Sequence, residues 1–226
     1  MKIKNEKAIF DLYVEKDSDL RPNLKAPFIQ ENDGRVWASE GHIMIMINQE
    51  CVSGKYNSKT IGPHLPVREY NCDLPLSVSD LQIALAICPQ EDEVLVTYKE
   101  TTCPECKGSG GVDGEYHAKY DDQHYEISGE CPICEGEGTI KTEVSTPTGN
   151  KIPKHDIFFK IGKGYFRGTF IQTIIKTCDL LGIEQIRLVR TDEHDISIIE
   201  LSKDIHIVLM PIRFDDKCEV IEVKGL

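Results

Sequence analysis

Two copies of one short pattern constrain this chain more than any other feature: Cys103-Pro104-Glu105-Cys106-Lys107-Gly108-Ser109-Gly110 and Cys131-Pro132-Ile133-Cys134-Glu135-Gly136-Glu137-Gly138. Both read C-P-x-C-x-G-x-G. Each copy supplies two thiols from one tight turn, and two such turns facing each other make a closed tetrahedral set of four sulfurs. That ligand softness and geometry select zinc. The glycines fit the same picture, because a chain wrapping a sulfur needs positive φ just beyond the second cysteine. A redox dithiol or a pair of disulfides would use the same residues. A single C-x-x-C would leave those readings open, whereas the duplicated glycine tail argues for metal. With Cys103, Cys106, Cys131 and Cys134 as ligands, no coordination position remains for a catalytic water. The expected cofactor is therefore one structural Zn2+.

The pattern resembles the cysteine-rich zinc region of J-domain co-chaperones, over residues 103–138, with two copies where those proteins usually carry four. The His-Pro-Asp tripeptide of that family's J-domain is absent from this sequence. The resemblance thus implies a metal-held pair of knuckles and does not imply co-chaperone activity.

At 226 residues the chain is long enough for one sizeable core and a small accessory module. Its 40% hydrophobic and 28% charged content are those of a soluble globular protein. The start, Met1-Lys2-Ile3-Lys4-Asn5-Glu6-Lys7, lacks the apolar stretch of a signal peptide, and no segment has the uncharged length of a membrane span. Five further cysteines, Cys51, Cys72, Cys88, Cys178 and Cys218, lie in apolar or strand-like runs, where buried thiols are common. A reducing, cytoplasmic location is expected, without a membrane partner. The net charge is −12, and residues 101–140 carry −7 of it through nine acidic residues against Lys107 and Lys119. Such a module is ill suited to phosphate and better suited to a basic protein surface or to solvation.

The flanking sequence alternates strands and helices. Strands are predicted over 8–15, 35–39 and 42–47, followed by a long loop over 54–66. A helix capped by Ser79 runs to Cys88 and is stopped by Pro89, and a strand follows over 93–98. Beyond the cysteine module, strands are predicted over 139–144 and 155–161, and a helix over 169–181 ends at Gly182. Three more strands cover 185–190, 195–201 and 206–213. The two helices align at an offset of 90, placing Gln82 with Gln172, Leu85 with Ile175 and Cys88 with Cys178. This reads as an α+β fold of repeated β-α-β-β-β units with antiparallel sheets, plus an inserted zinc-binding knuckle pair. The parts are 1–100, 101–140 and 141–226. Within the insert, 115–120 and 123–128 flank Asp121-Asp122 as a hairpin. His117 and His124 read as exposed hairpin residues; a role as extra ligands is the alternative, and four cysteines already fill the site.

Two segments outside the insert carry a second resemblance. Ala38-Ser39-Glu40-Gly41-His42-Ile43-Met44 is similar to the strand turn A-T-D-G-H-R-L of bacterial sliding DNA clamps. Val208-Leu209-Met210-Pro211-Ile212-Arg213-Phe214 is similar to their C-terminal V-M-P-M-R-L. Ile43 stands where that family has Arg, and Ser39-Glu40 where it has Thr-Asp. The resemblance implies clamp-like units and a hydrophobic cleft that receives short peptides from protein partners. Its walls would be Ser39, Gly41, His42 and Met44 on one side and Met210, Pro211, Ile212 and Arg213 on the other. Flexible Met and fixed Pro suit an apolar cleft, and Arg213 suits a backbone carbonyl or carboxylate. The plainer alternative puts Met44 and Met46 in a core and Pro211 on an edge strand. Clamp helices line the hole of a ring and need cations for DNA. Here the first helix has none and the second only Lys176, with Lys160, Lys163 and Arg167 just before it. A ring would also require several copies of so short a chain, a homo-oligomer.

No P-loop, GxSxG or HExxH motif is present. Gly162-Lys163-Gly164 is too short for a phosphate loop, and Asp192-Glu193-His194-Asp195 reads as a solvated turn. The expected function is non-enzymatic: a clamp-like accessory protein of DNA replication, repair or a mobile element that recruits partners through peptides. The alternative is a zinc-stabilised interaction adaptor that has the clamp-like fold and does not bind DNA.

Overall fold

Uninterrupted apolar runs such as Ile43-Met44-Ile45-Met46-Ile47 demand a sheet covered on both faces, and the computed structural model has one. It describes residues 2–15, 24–60, 70–118, 120, 123–213 and 218–224. In chain order the elements are α1 (Glu6–Phe10), β1 (Phe28–Gln30), β2 (Arg35–Ser39), β3 (Ile43–Asn48), β4 (Asn57–Lys59), β5 (Leu74–Ser77) and α2 (Val78–Ile87). Next come β6 (Gln90–Thr102), β7 (Gly111–Ala118), β8 (Gln123–Glu130), β9 (Thr139–Pro153), β10 (Ile157–Ile161), β11 (Gly164–Arg167) and α3 (Gly168–Leu181). The chain closes with β12 (Gln185–Arg190), β13 (Ser197–Ser202), β14 (Ile205–Leu209) and β15 (Glu219–Glu222). It divides into two compact units, Met1–Glu91 with Ile152–Leu226, and Asp92–Lys151.

The first unit is built on an eight-stranded sheet in the order β4-β1-β2-β3-β14-β13-β12-β5. All pairs are antiparallel except β1 with β4. The joint between β3 and β14 sets Ile45 opposite Ile207 and Met44 opposite Val208. Alternation then sorts the side chains. Val36, Ala38, Ile45, Ile47, Ile207 and Leu209 enter the main core, while Trp37, Met44, Met46, Ile198 and Val208 form a second apolar cluster. Helices α2 and α3 pack on each other and feed Leu81, Ala84, Ile171 and Ile174 into the main core. A smaller sheet, β11-β10-β15, adds Phe159, Ile161, Phe166 and Ile221.

Four local expectations change, the first being the long loop over 54–66: Asn57–Lys59 forms β4 there, and 61–66 lie outside the described residues. Residues 8–15 do not form a strand: helix α1 covers Glu6–Phe10, and burial of Ile9, Phe10 and Tyr13 follows a helical rather than an alternating period. The α2 cap is Ser77 instead of Ser79, closed as a reciprocal box: Asp80 N–H donates to Ser77 Oγ at 3.1 Å and Ser77 N–H to Asp80 Oδ2 at 3.0 Å. Strand β14 ends at Leu209, ahead of Pro211, which has no N–H to continue a ladder. Helix α3 ends as expected at Gly182, which adopts φ 67°.

The second unit consists of the ribbon β6–β9, two knuckles and the antiparallel hairpin β7–β8. Contacts of Glu93 with Thr148, Thr97 with Val144 and Thr101 with Ile140 show that β6 and β9 run in opposite directions. Among the described residues no helix is long and apolar enough to cross a membrane.

Candidate metal centre

Each knuckle is a turn that wraps its own second sulfur. Lys107 and Glu135, the residues directly after those cysteines, lie at φ 53° and 52°, followed by Gly108 and Gly136 at 93° and 85°, and Gly110 and Gly138 both at 76°. The left-handed region thus begins one residue earlier than the glycines alone suggest. This path turns the Gly110 N–H onto Cys106 Sγ at 3.4 Å and the Gly138 N–H onto Cys134 Sγ at 3.2 Å. The halves are bound to each other reciprocally. Cys103 N–H donates to Gly138 O at 2.9 Å, and Cys131 N–H to Gly110 O at 2.8 Å.

The result is a buried tetrahedron. All four sulfurs lie within 4.8 Å of one another, and none is in a disulfide. Cys103 and Cys131 are 3.8 Å apart, and Cys106 and Cys134 are 3.6 Å apart. A zinc ion at ~2.3 Å from each sulfur requires tetrahedron edges of about 3.8 Å, so the donor set fits the ion in both type and size. Val112 and Ile140 are the partly buried apolar side chains packed against it. Burial works against the Cys106 thiolate, yet the N–H groups of Gly110 and Gly108 and the thiols of Cys134 and Cys103 outweigh it and bring its pKa down to about 6. Cys134 goes the other way: burial and the neighbouring thiols push it up to about 11 against the Gly138 N–H. The Cys106 thiolate forms readily, and the Cys134 thiol facing it resists. A bound dication removes that conflict and lets all four ionise.

The two segments named for the expected peptide cleft meet at one point. Met210 N–H donates to His42 O at 2.8 Å, one step beyond the pair Leu209 with Ile43. Continued alternation sets His42, Met44, Val208 and Met210 on one face, at the end of the second apolar cluster. Met44 and Val208 are buried there, His42, Met210 and Arg213 are exposed, and Gly41, Pro211 and Ile212 are partly buried. Ser39 is committed within its own turn, its hydroxyl donating to Ile43 O at 3.1 Å and accepting from Gly41 N–H at 2.9 Å. Glu40, which sequence reasoning passed over, accepts the N–H groups of His42 and Ile43 at 2.9 Å each. Val208 was missed as well; its pairing with Met44 becomes visible only once β14 lies on β3. Among the described residues, one groove of about 600 Å³ lies beside β7–β8 and another of about 280 Å³ against α1.

Asp192 Oδ1 accepts the N–H groups of His194 and Asp195, so that acidic run is a turn held by its own carboxylate. Helix α2 exposes Gln82, Ile83, Ala86 and Ile87 and presents no cation, whereas α3 exposes Lys176.

No protein-family profile and no curated protein sequence matches the chain. Among solved structures, bacterial DNA polymerase III β sliding clamps are similar. The clamp of Bartonella birtlesii bound to griselimycin aligns at TM-score 0.44 and 12% identity, covering 95% of this chain and 65% of that one. The Caulobacter crescentus clamp aligns at 0.43 and 11%, covering 95% and 65%. A Pseudomonas aeruginosa clamp with ligand aligns at 0.41 and 11%, covering 95% and 66%. This chain thus spans roughly two thirds of the length of those clamps.

Proposed function

We propose that this protein is a non-enzymatic, clamp-like accessory factor of DNA replication or repair, which recruits protein partners by holding short apolar peptides beside His42, Met44, Met210 and Arg213. The observation that carries the reading is the hydrogen bond between Met210 and His42, which sets two segments distant in sequence side by side at the rim of an apolar cluster. An exposed methionine over a buried apolar floor, with an arginine nearby, suits a peptide with apolar anchors and a free carbonyl or carboxylate. The four cysteines act as a structural zinc site that keeps the knuckles folded and take no part in chemistry. The test is a random peptide library panned on the zinc-loaded protein, with Met210→Glu as counter-screen. Apolar peptides that bind the native protein and lose about tenfold or more in affinity for the variant support the cleft; equal affinity for both removes it.

A second reading, an adaptor with the same cleft and no DNA contact, is favoured by one observation. Helix α2 carries no positive charge to meet phosphate. Native mass measurement with circular and linear duplex DNA separates the two. A ring-sized oligomer retained on closed circles and lost from linear DNA supports the replication factor. A monomer or dimer indifferent to DNA supports the adaptor.

A further inference from the structure

The hairpin β7–β8 carries imidazole and carboxylate side chains apart from the four cysteines. His117 and His124 are directly opposite each other, their ring centres 4.5 Å apart in an edge-to-face arrangement. The next pair on the same face is Glu115 opposite Glu126, and the one beyond it Asp113 opposite Ser128. Glu115, Glu126 and Asp113, with Gly114, Ile127 and Ser128, line a groove of about 600 Å³. All of these side chains are exposed.

Like charges directly opposite each other weaken an antiparallel pair, and a two-stranded ribbon has little else to hold it. A cation offsets that repulsion. Two imidazoles bind one ion at ~2.0–2.1 Å each, which needs nitrogens roughly 3 Å apart. Rings already 4.5 Å apart between centres reach that separation by rotation of the side chains alone. Imidazole with carboxylate is the donor set of the borderline transition ions. Among the described residues, the cysteines are the only group of three or more donors already within 4.8 Å of one another. The pre-placed part of the new site is therefore the histidine pair, with a glutamate rotating in to complete it.

We propose that His117 and His124 chelate a divalent transition-metal ion across the hairpin, with Glu115 or Glu126 as third ligand and the remaining positions open to water or to a side chain of a partner. This ion pins the two strands near the tip, while the cysteine-bound ion pins them at the base. The site is independent of the peptide cleft and of any contact with DNA.

The test starts from protein carrying one equivalent of zinc and titrates Ni2+ by calorimetry, with metal content measured after desalting. The native protein takes up a second equivalent. His117→Gln and His124→Gln each weaken that uptake by at least about tenfold, and the cysteine-bound zinc stays at one equivalent in every variant, which also certifies folding. Uptake of no second equivalent overturns the proposal. So does a second equivalent that binds equally well to the double variant, because exposed carboxylates alone would then account for it.

Discussion

Replacing Cys134 by Ser should unfold the knuckles and leave the first unit as it was. The two eight-residue knuckles hold sixteen residues in fixed turns, at a conformational cost of ~1.5 kcal/mol each or roughly 24 kcal/mol. Five backbone hydrogen bonds and two N–H to sulfur contacts return about 7 kcal/mol at ~1 kcal/mol each. Val112 and Ile140, the partly buried apolar side chains against the cluster, add about 2 kcal/mol. The shortfall of about 15 kcal/mol falls within the ~10–16 kcal/mol that a structural zinc supplies. With one ligand lost, the remaining binding energy no longer covers it. The sequence has a single tryptophan, Trp37, buried in the first unit, so its fluorescence reports that unit alone. The expected result for Cys134→Ser is no bound zinc, protease cleavage between residues 103 and 138, and a Trp37 unfolding midpoint within about 0.5 kcal/mol of the native one. Zinc retained at one equivalent would refute the ledger. A Trp37 transition that collapses with the knuckles would refute the independence of the units.

Gly110→Ala should weaken zinc binding by about tenfold or more, because its Cβ would press on the Gly136 carbonyl at a φ of 76°; Gly149→Ala, at φ 84° in open space, should leave zinc affinity unchanged. Competition with a chromogenic chelator reads both. Tyr13 and Thr177 share a buried hydrogen bond of 2.8 Å, and Thr177 also donates to Thr173 O. Tyr13→Phe should cost ~0.5–1.5 kcal/mol in urea unfolding, and Thr177→Val more, about 1–3 kcal/mol, since it strands a buried phenol; the reverse order would contradict this bookkeeping. His206 is held below its ordinary pKa by burial and then by the Arg35 guanidinium, with Glu200 and Asp204 pulling the other way and Tyr70 Oη 3.2 Å from its Nε2. The unfolded chain therefore takes up a proton near pH ~6.5 that the folded chain refuses, and stability falls as pH drops below that value. Unfolding midpoints followed by Trp37 should show this slope in the native protein and a flatter one in His206→Gln; parallel curves would disprove it.

The sequence was most legible where the determining contacts are local. The knuckles could be read from the duplicated cysteine-and-glycine spacing, because the second sulfur of each is wrapped within five residues of chain. The strands at 35–39 and 185–190 and the end of α3 at Gly182 follow from short-range pattern and a single left-handed residue. Helix α1 was hidden because Ile9, Phe10, Tyr13 and Val14 favour strands; tertiary packing chose the helical phase that buries Ile9, Phe10 and Tyr13 together. The Ser77 cap was there to be found, since Ser77-Val78-Ser79-Asp80 has capping-box spacing, but Ser79 competed for the role. Pairing of β3 with β14 joins residues about 160 apart and leaves no periodic trace in either strand. The candidate cleft residues were named through likeness to another family, whereas the contact of His42 with Met210 is a product of that pairing.

The reciprocal bonding of the knuckles has an architectural consequence. Gly111 and Glu130 form the first rung of the hairpin, next to Cys131 and Gly110, and the antiparallel ladder runs on from there to Ala118 and Gln123. Matched additions to both strands would raise or lower the tip without shifting a single ligand, whereas one unmatched residue at the foot would throw the halves out of step. The foundation is fixed and the mast is adjustable, so reach can drift between descendants of this chain while the anchorage stays the same.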